Sequence, residues 1–482
     1  MAVLERLKPE RVFYYFEEIC KIPHGSGNTK QISDYLAAFA QKQGLKYIQD
    51  ESNNVVIYKD ASPGYENAPV VILQGHMDMV CEKLPSSKHD FERDPLDLQV
   101  EGDFISAKGT TLGGDDGIAV AYGLAVLEDA ALEHPALEVV FTVDEEIGLL
   151  GAKSLDKSLL KGKYLINLDS EEEGYLWSGC AGGLVGISEL PVRRVEASGT
   201  LCKVKIDGLK GGHSGAEIHK IRGNATLILA RFLHEFGMEH AFSLVSFGGG
   251  QKDNAIPRQA EAEILLEQEE LQELKLFAEI FTEKMRIEYT GTDEGMTAEV
   301  EEEGEGSCQV LHPVSQEKIL FFLMNHPHGV RKMCGFIDGL VETSCNLGIT
   351  HLKEDILSCV TNVRSSVGTE KDALGEQIRY LTEFLGGEYL TEGEYPAWEY
   401  LKDSRLRPLM MEVYKEMYQK EPAVEVIHAG LECGIFYESI PGLDCISIGP
   451  DMKNIHTSEE KLSISSTKRV YEYLLEVLKR IK

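Results

Sequence analysis

A chain of 482 residues exceeds what one ordinary hydrophobic core organises, so two domains are expected. With 43% hydrophobic residues it can bury a substantial interior, which excludes a disordered chain. Eighty acidic against 48 basic residues leave a formal charge of -32, which repels nucleic acid and anionic membrane, and no basic stripe reverses this locally.

No apolar run reaches the roughly 18–20 residues a membrane helix needs. The opening MAVLERLKPE lacks the apolar core of a signal peptide, so a cytoplasmic location is expected. Ten cysteines without any CxxC pair read as reduced, mostly buried thiols, which leaves nitrogen and oxygen as the ligands for any metal.

In chain order, PERVFYYFEEICKI has Pro9 as a helix start, and NTKQISDYLAAFAQKQG has a capping residue in front and a glycine stop. NVVIYKD, VVILQGHMD and LEVVFTVDEE are β-branched strands, the helix DDGIAVAYGLAVLEDAAL precedes the last of them, and YLINLDS is a further strand. This is the α/β order of a mostly parallel sheet covered by helices.

From about residue 184 the texture changes to longer amphipathic elements: GTLCKVKIDGLKG, GNATLILARFLHEF and RQAEAEILLEQ. The acidic EVEEEGEGS reads as a solvated loop or turn. DNAIPRQAEAEILL and SCVTNVRSSVGTE each pair an Asn with an Arg beside a strand-like run, as an internal duplication of a small α+β unit would produce. After about residue 390 the α/β texture resumes with SRLRPLMMEVYKEMYQK, LDCISIGPDM and STKRVYEYLLEVLKRI. The expected organisation is a catalytic domain over 1–183 and 391–482, interrupted by an inserted α+β domain over 184–390, with the site expected in the cleft between them.

Five places break the apolar pattern with metal-type residues at strand ends or in the loops that follow. They are His76 with Asp78, LGGDDG with Asp115 and Asp116, DEEIG with Glu145 and Glu146, NLDS with Asp169, and NIHTSEE with His456. Singly, His76 reads more readily as a satisfied buried histidine, the aspartates as a turn or cap, and the glutamates as surface. As a set they supply imidazole nitrogen and carboxylate oxygen, the ligands of hydrolytic zinc or manganese. Two ions about 3.5–4 Å apart need a bridging carboxylate, for which Asp115 serves. Asp115, Glu146 and Asp169 then offset most of the charge of two divalent cations, with His76 and His456 each capping one. Glu145 is left as the proton carrier for the attacking water, and Asp78 as the group that orients the His76 ring.

Taken in this order, GHMDMV, GGDDG, DEEIG, NLDS and NIHTSEE resemble the co-catalytic metallopeptidases that include aminoacylase, carnosinase and succinyl-diaminopimelate desuccinylase. GLKGGHSGAEIH, DNAIPR and IHAGLECGIF resemble the aminoacyl-histidine dipeptidase branch of that family. The resemblance runs over nearly the whole chain and implies a zinc-exopeptidase-like α/β catalytic domain with an inserted α+β lid. It implies two divalent ions, zinc first and manganese or cobalt as alternatives, on His76, Asp115, Glu146, Asp169 and His456, with Asp78 and Glu145 catalytic. It also implies that His213 stabilises the oxyanion, with a glycine-flanked turn histidine as the alternative.

Asn254, Arg258 and Arg364 are candidates for the substrate carboxylate and Glu432 for its free amino group, each with a structural ion pair as the alternative. The implied activity is hydrolysis of unblocked dipeptides, Xaa-His and carnosine-like ones included, by a monomer or homodimer. Deacylation of N-acyl amino acids is the rival within hydrolases. A non-catalytic metal- or peptide-binding protein is the rival outside them, and it has no use for Glu145.

Overall fold

The computed structural model describes residues 3–482, which divide into two compact units. The first comprises the chain up to Cys180 with Trp398–Ile427 and Leu431–Lys482; the second comprises Ala181–Ala397 with His428–Gly430.

In the first unit, the helix Glu10–Ile19 begins after Pro9, whose fixed φ suits a helix entry. Lys30–Gln43 ends at Gly44 in the left-handed region (φ 72°), the conformation glycine adopts at least cost. Thr29 occupies its N-terminal cap position, but its side chain makes no capping bond.

Among the described residues the central sheet has eight strands in the spatial order Lys46–Gln49, Val55–Lys59, Leu137–Thr142, Val71–His76, Tyr164–Asn167, Asp444–Ser447, Tyr175–Cys180 and Ala423–Ile427. It is a mixed sheet. The pairings among Leu137–Thr142, Val71–His76, Tyr164–Asn167 and Asp444–Ser447 are parallel, as is that of Tyr175–Cys180 with Ala423–Ile427. The two pairings at the Lys46 edge and that of Asp444–Ser447 with Tyr175–Cys180 are antiparallel.

Val71–His76 and Leu137–Thr142 are buried at every position, as parallel strands covered on both faces should be. The helix Gly114–Glu128 is apolar on all sides and buried almost throughout, so it belongs inside the unit rather than on its surface. A small antiparallel sheet of Leu98–Glu101, Phe104–Ala107, Lys461–Ser463 and Met452–Lys453 holds the segment on either side of His456.

The second unit is built on an antiparallel sheet whose halves repeat one another. Helix, strand, strand, helix, strand occurs as Ala225–Gly237, Ser243–Gly249, Ala260–Leu266, Leu271–Glu288 and Thr297–Leu311. It occurs again as Pro313–Asn325, Val341–Lys353, Ile356–Ser365, Gly368–Phe384 and Glu388–Tyr395. Adding Arg194–Asp207 to the first set and Gly182–Pro191 to the second, the halves run outward in matching order from a junction at Gly248–Gly249 and Thr350–His351.

The unit extends past the boundary expected at 390 because Glu388–Tyr395 adds to this sheet against Gly182–Pro191. Asn224 caps the helix Ala225–Gly237 by accepting from the Thr226 and Leu227 N–H groups.

One sequence expectation fails here. EVEEEGEGS is not a loop but lies within the strand Thr297–Leu311, paired with Arg194–Asp207 at the sheet edge. Glutamate on both faces hid the alternation, and such charge on an edge strand discourages pairing with other chains.

All ten cysteines are free and most are buried. No helix among the described residues is long and apolar enough to cross a membrane.

Candidate metal centre

Three neighbouring parallel strands deliver most of the acidic groups. Val71–His76 runs between Leu137–Thr142 and Tyr164–Asn167, with His76 level with Thr142 and Gln74 level with Asn167. Parallel strands finish on one edge, so Asp78, Glu145 with Glu146, and Asp169 leave the sheet side by side, where open α/β sheets place their ligands. Gly75 is required at this crossing: a Cβ there would lie 2.5 Å from Asp116 Oδ2. That oxygen accepts the His76 backbone N–H at 3.1 Å.

Asp115 lies between the two histidines. Its Oδ1 is 3.2 Å from His76 Nε2 and its Oδ2 is 3.0 Å from His456 Nε2. Asp169 Oδ1 lies 3.5 Å from His76 Nε2, and Glu146 Oε1 lies 3.0 Å from His456 Nε2. Glu146 Oε1 is buried and has no aligned hydrogen bond despite that distance, so it and the imidazole face a common point more than each other.

Donor atoms of His76, Asp116 and Asp169, of His76, Glu145 and Glu146, and of Asp115, Glu146 and His456 each gather within 4.8 Å. Asp116 Oδ1 is likewise buried without a partner. Nitrogen and oxygen donors in this mixture suit zinc, manganese or cobalt.

The charge balance of the cluster calls for cations. Burial works against a charged His76, yet Asp169 and Asp115 outweigh it and raise the ring well above its usual range. The hydrogen bond to Asp115 and the nearby Glu146 carboxylate raise His456 to about 11. Burial tends to raise Asp115, but hydrogen bonds from His456 and His76 hold it well below the usual carboxylate range. Burial lifts Asp169 to about 7 against the pull of His76, and lifts Glu145 well above its ordinary value. Imidazolium protons held this way are what a divalent ion displaces on binding.

Asp78 is completely buried and does two things. Its carbonyl accepts from His76 Nδ1 at 3.0 Å, with its carboxylate 3.4 Å from the same nitrogen. Its Oδ1 accepts the Glu145 backbone N–H at 3.1 Å and its Oδ2 the Ser26 hydroxyl at 2.8 Å. Asp78 thus touches both the His76 ring and the Glu145 backbone. Ser26 carries no sequence signal for this part.

Glu432 also belongs to the first unit. Its Oε2 accepts from Gln74 (2.5 Å) and Thr142 (2.6 Å), Oε1 is buried without a partner, and burial pushes the group up to about 7.

The other candidates belong to the second unit. His213 Nδ1 accepts the Gly215 and Ala216 N–H groups at 3.1 and 3.0 Å, so its proton sits on Nε2. Burial, helped by Arg364, lowers its pKa and keeps the ring neutral. His213, Asn254 and Arg258 line a cavity of about 830 Å³ together with Lys210 and Lys252. Arg364 is not on that lining. It lies in Ile356–Ser365, 9% exposed, with Nη1 donating to the Tyr395 hydroxyl at 3.0 Å and Nε buried without a partner.

The fold and the cluster define a metallopeptidase. Residues 72–480 match the model of peptidase family M20/M25/M40, and the chain belongs to this family, as the motif resemblance implied. Over 483 residues it is 35% identical to the cytosol non-specific dipeptidase of Escherichia coli (strain K12), covering 100% of this chain and 99% of the relative. The crystal structure of aminoacylhistidine dipeptidase from Vibrio alginolyticus superposes with a TM-score of 0.93 at 35% identity, over 99% of this chain and 98% of that one. Aminopeptidase PepT from Bacillus cereus, at 14% identity, a TM-score of 0.56 and coverage of 98% and 99%, shares the fold.

Proposed function

We propose that the protein is a metal-dependent dipeptidase that hydrolyses unblocked dipeptides, Xaa-His and carnosine-like ones among them. The observation that carries this reading is Asp115 with one oxygen toward His76 and the other toward His456, beside a glutamate held in place by Asp78. Substrate choice follows the two relatives that match nearly the whole chain, a cytosol non-specific dipeptidase and an aminoacylhistidine dipeptidase.

His76, Asp115 and Asp169 would hold one divalent ion, and His456, Asp115 and Glu146 the other, zinc being the first choice. Bound there, the pair supplies an acidified water and a Lewis acid for the scissile carbonyl. Glu145 takes the proton of the attacking water and returns it to the departing amine, a task for which a raised carboxyl pKa is suited. Asp78 keeps the His76 ring and the Glu145 backbone in register for this transfer.

For the oxyanion we assign His213, a neutral Nε2–H donor. Glu432 Oε1 is assigned the free amino group, and Arg364, with Asn254 and Arg258, the terminal carboxylate. The second unit then acts as the lid of this enzyme, a cytoplasmic monomer or homodimer.

The test is hydrolysis of β-alanyl-histidine, leucyl-histidine and an N-acetyl amino acid by chelator-stripped protein, before and after adding zinc, manganese or cobalt. Metal-restored cleavage of the dipeptides with the acetylated compound untouched is expected. Cleavage of the acetylated compound alone would make the protein a deacylase, and metal uptake without turnover would leave a binding protein.

A further inference from the structure

The last carboxylate of the NIHTSEE stretch has no part in the reading above. Glu460 is only 2% exposed, and a charge so far from water needs partners. It has four, all consecutive backbone N–H groups: Leu112 (2.7 Å) and Gly113 (3.1 Å) donate to Oε2, Gly114 (2.8 Å) and Asp115 (3.3 Å) to Oε1. Every hydrogen-bond partner is a donor, so both carboxylate oxygens are satisfied as acceptors.

Successive backbone N–H groups converging on one point form a nest for an anion, and here the chain fills its own nest. The two glycines of LGGDDG follow from this. Gly113 has φ 68°. A Cβ on Gly114 would lie 3.2 Å from Glu460 Oε1 and 3.3 Å from Met452 Sδ.

The other end of the clamp is the turn that carries His456. The Glu460 N–H donates to the Thr457 carbonyl (3.1 Å), and the Thr457 hydroxyl to the Asn454 carbonyl (2.7 Å). One side chain therefore joins the Asp115 loop to the His456 turn, 345 residues apart in sequence at its Asp115 contact.

We infer that Glu460 is a positioning residue: it clamps the Leu112–Asp115 backbone against the His456 turn, so that Asp115 and His456 are presented together to one metal ion. This rests on the ligand assignment proposed above. A mere loop cap would lower stability and leave metal uptake alone, whereas partners that orient ligands cost 10–100-fold in metal affinity when removed.

The experiment titrates chelator-stripped wild type, Glu460→Gln and Gly114→Ala with zinc against a competing chromophoric chelator, and records thermal unfolding of the metal-free forms. Wild type is expected to take up two equivalents. In Glu460→Gln the equivalent that uses both Asp115 and His456 should weaken most, by about 10–100-fold, and the other, which shares only Asp115, by less. Gly114→Ala keeps the charge but crowds Oε1, and should weaken the same equivalent by less; it decides the matter if Glu460→Gln does not fold. Two equivalents of wild-type affinity in the folded variant overturn the inference. Fewer than two in wild type overturn the ligand assignment instead.

Discussion

The two units handle charge in opposite ways. In the first, Asp78, Asp115, Asp116, Glu145, Glu146, Asp169 and Glu432 crowd around the ends of parallel strands, and burial lifts Asp169 and Glu432 to about 7. In the second, the candidate side chains are neutral or cationic: His213, Asn254, Arg258 and Arg364, beside a His428 that burial pushes down to about 3. The first is an acidic cluster suited to cations, and the second offers donors that, in the proposed mechanism, would hold carboxylate and oxyanion.

The sharpest break in that contrast is at Glu145. It lies among the proposed ligands, its Oε2 4.0 Å from His76 Nε2, yet the role proposed for it is proton transfer. Glu145→Ala should lower kcat by about 10²–10⁴ while both metal equivalents remain. Loss of an equivalent along with activity would make it a ligand.

His213→Ala tests the other unit, with an expected fall in kcat of about 10²–10³ and unchanged metal uptake. A variant that alters KM alone would reduce His213 to a binding residue.

The smallest effect concerns stability and distinguishes the units by pH. Burial lowers His326 to about 4 and His328 to about 3, both in the second unit. Histidines depressed in the folded state stay neutral while the unfolded chain binds protons, so stability present above about pH 6.5 is lost as pH falls toward the folded values. From pH 7 to 5.5 these two should remove roughly 2.5 kcal/mol, and less in a His326→Gln, His328→Gln variant. Chemical denaturation at the two pH values measures it, and equal losses in both proteins would refute the assignment.

Much of the first unit was legible because its strands end abruptly: an apolar run gives way to His76, to Glu145 and Glu146, or to Asp169, and the eye needs only the period of two. The second unit was less so. Glutamate on both faces concealed the strand Thr297–Leu311, and the repeat of its halves is carried by element order more than by residue identity. Within the cluster, the partners of Asp116 and Glu460 are backbone N–H groups, which no side-chain motif records.

By itself the sequence determined which metal-type residues are present, their order, and the strands that bear them, since alternation, chain breaks and residue chemistry are local properties. Only the tertiary structure decided that Asp115 stands between His76 and His456, that Asp78 touches both His76 and the Glu145 backbone, and that Glu460 ties two distant loops together. Those relations depend on sheet register and on where buried N–H groups find acceptors, and neither is written in any short stretch of the chain.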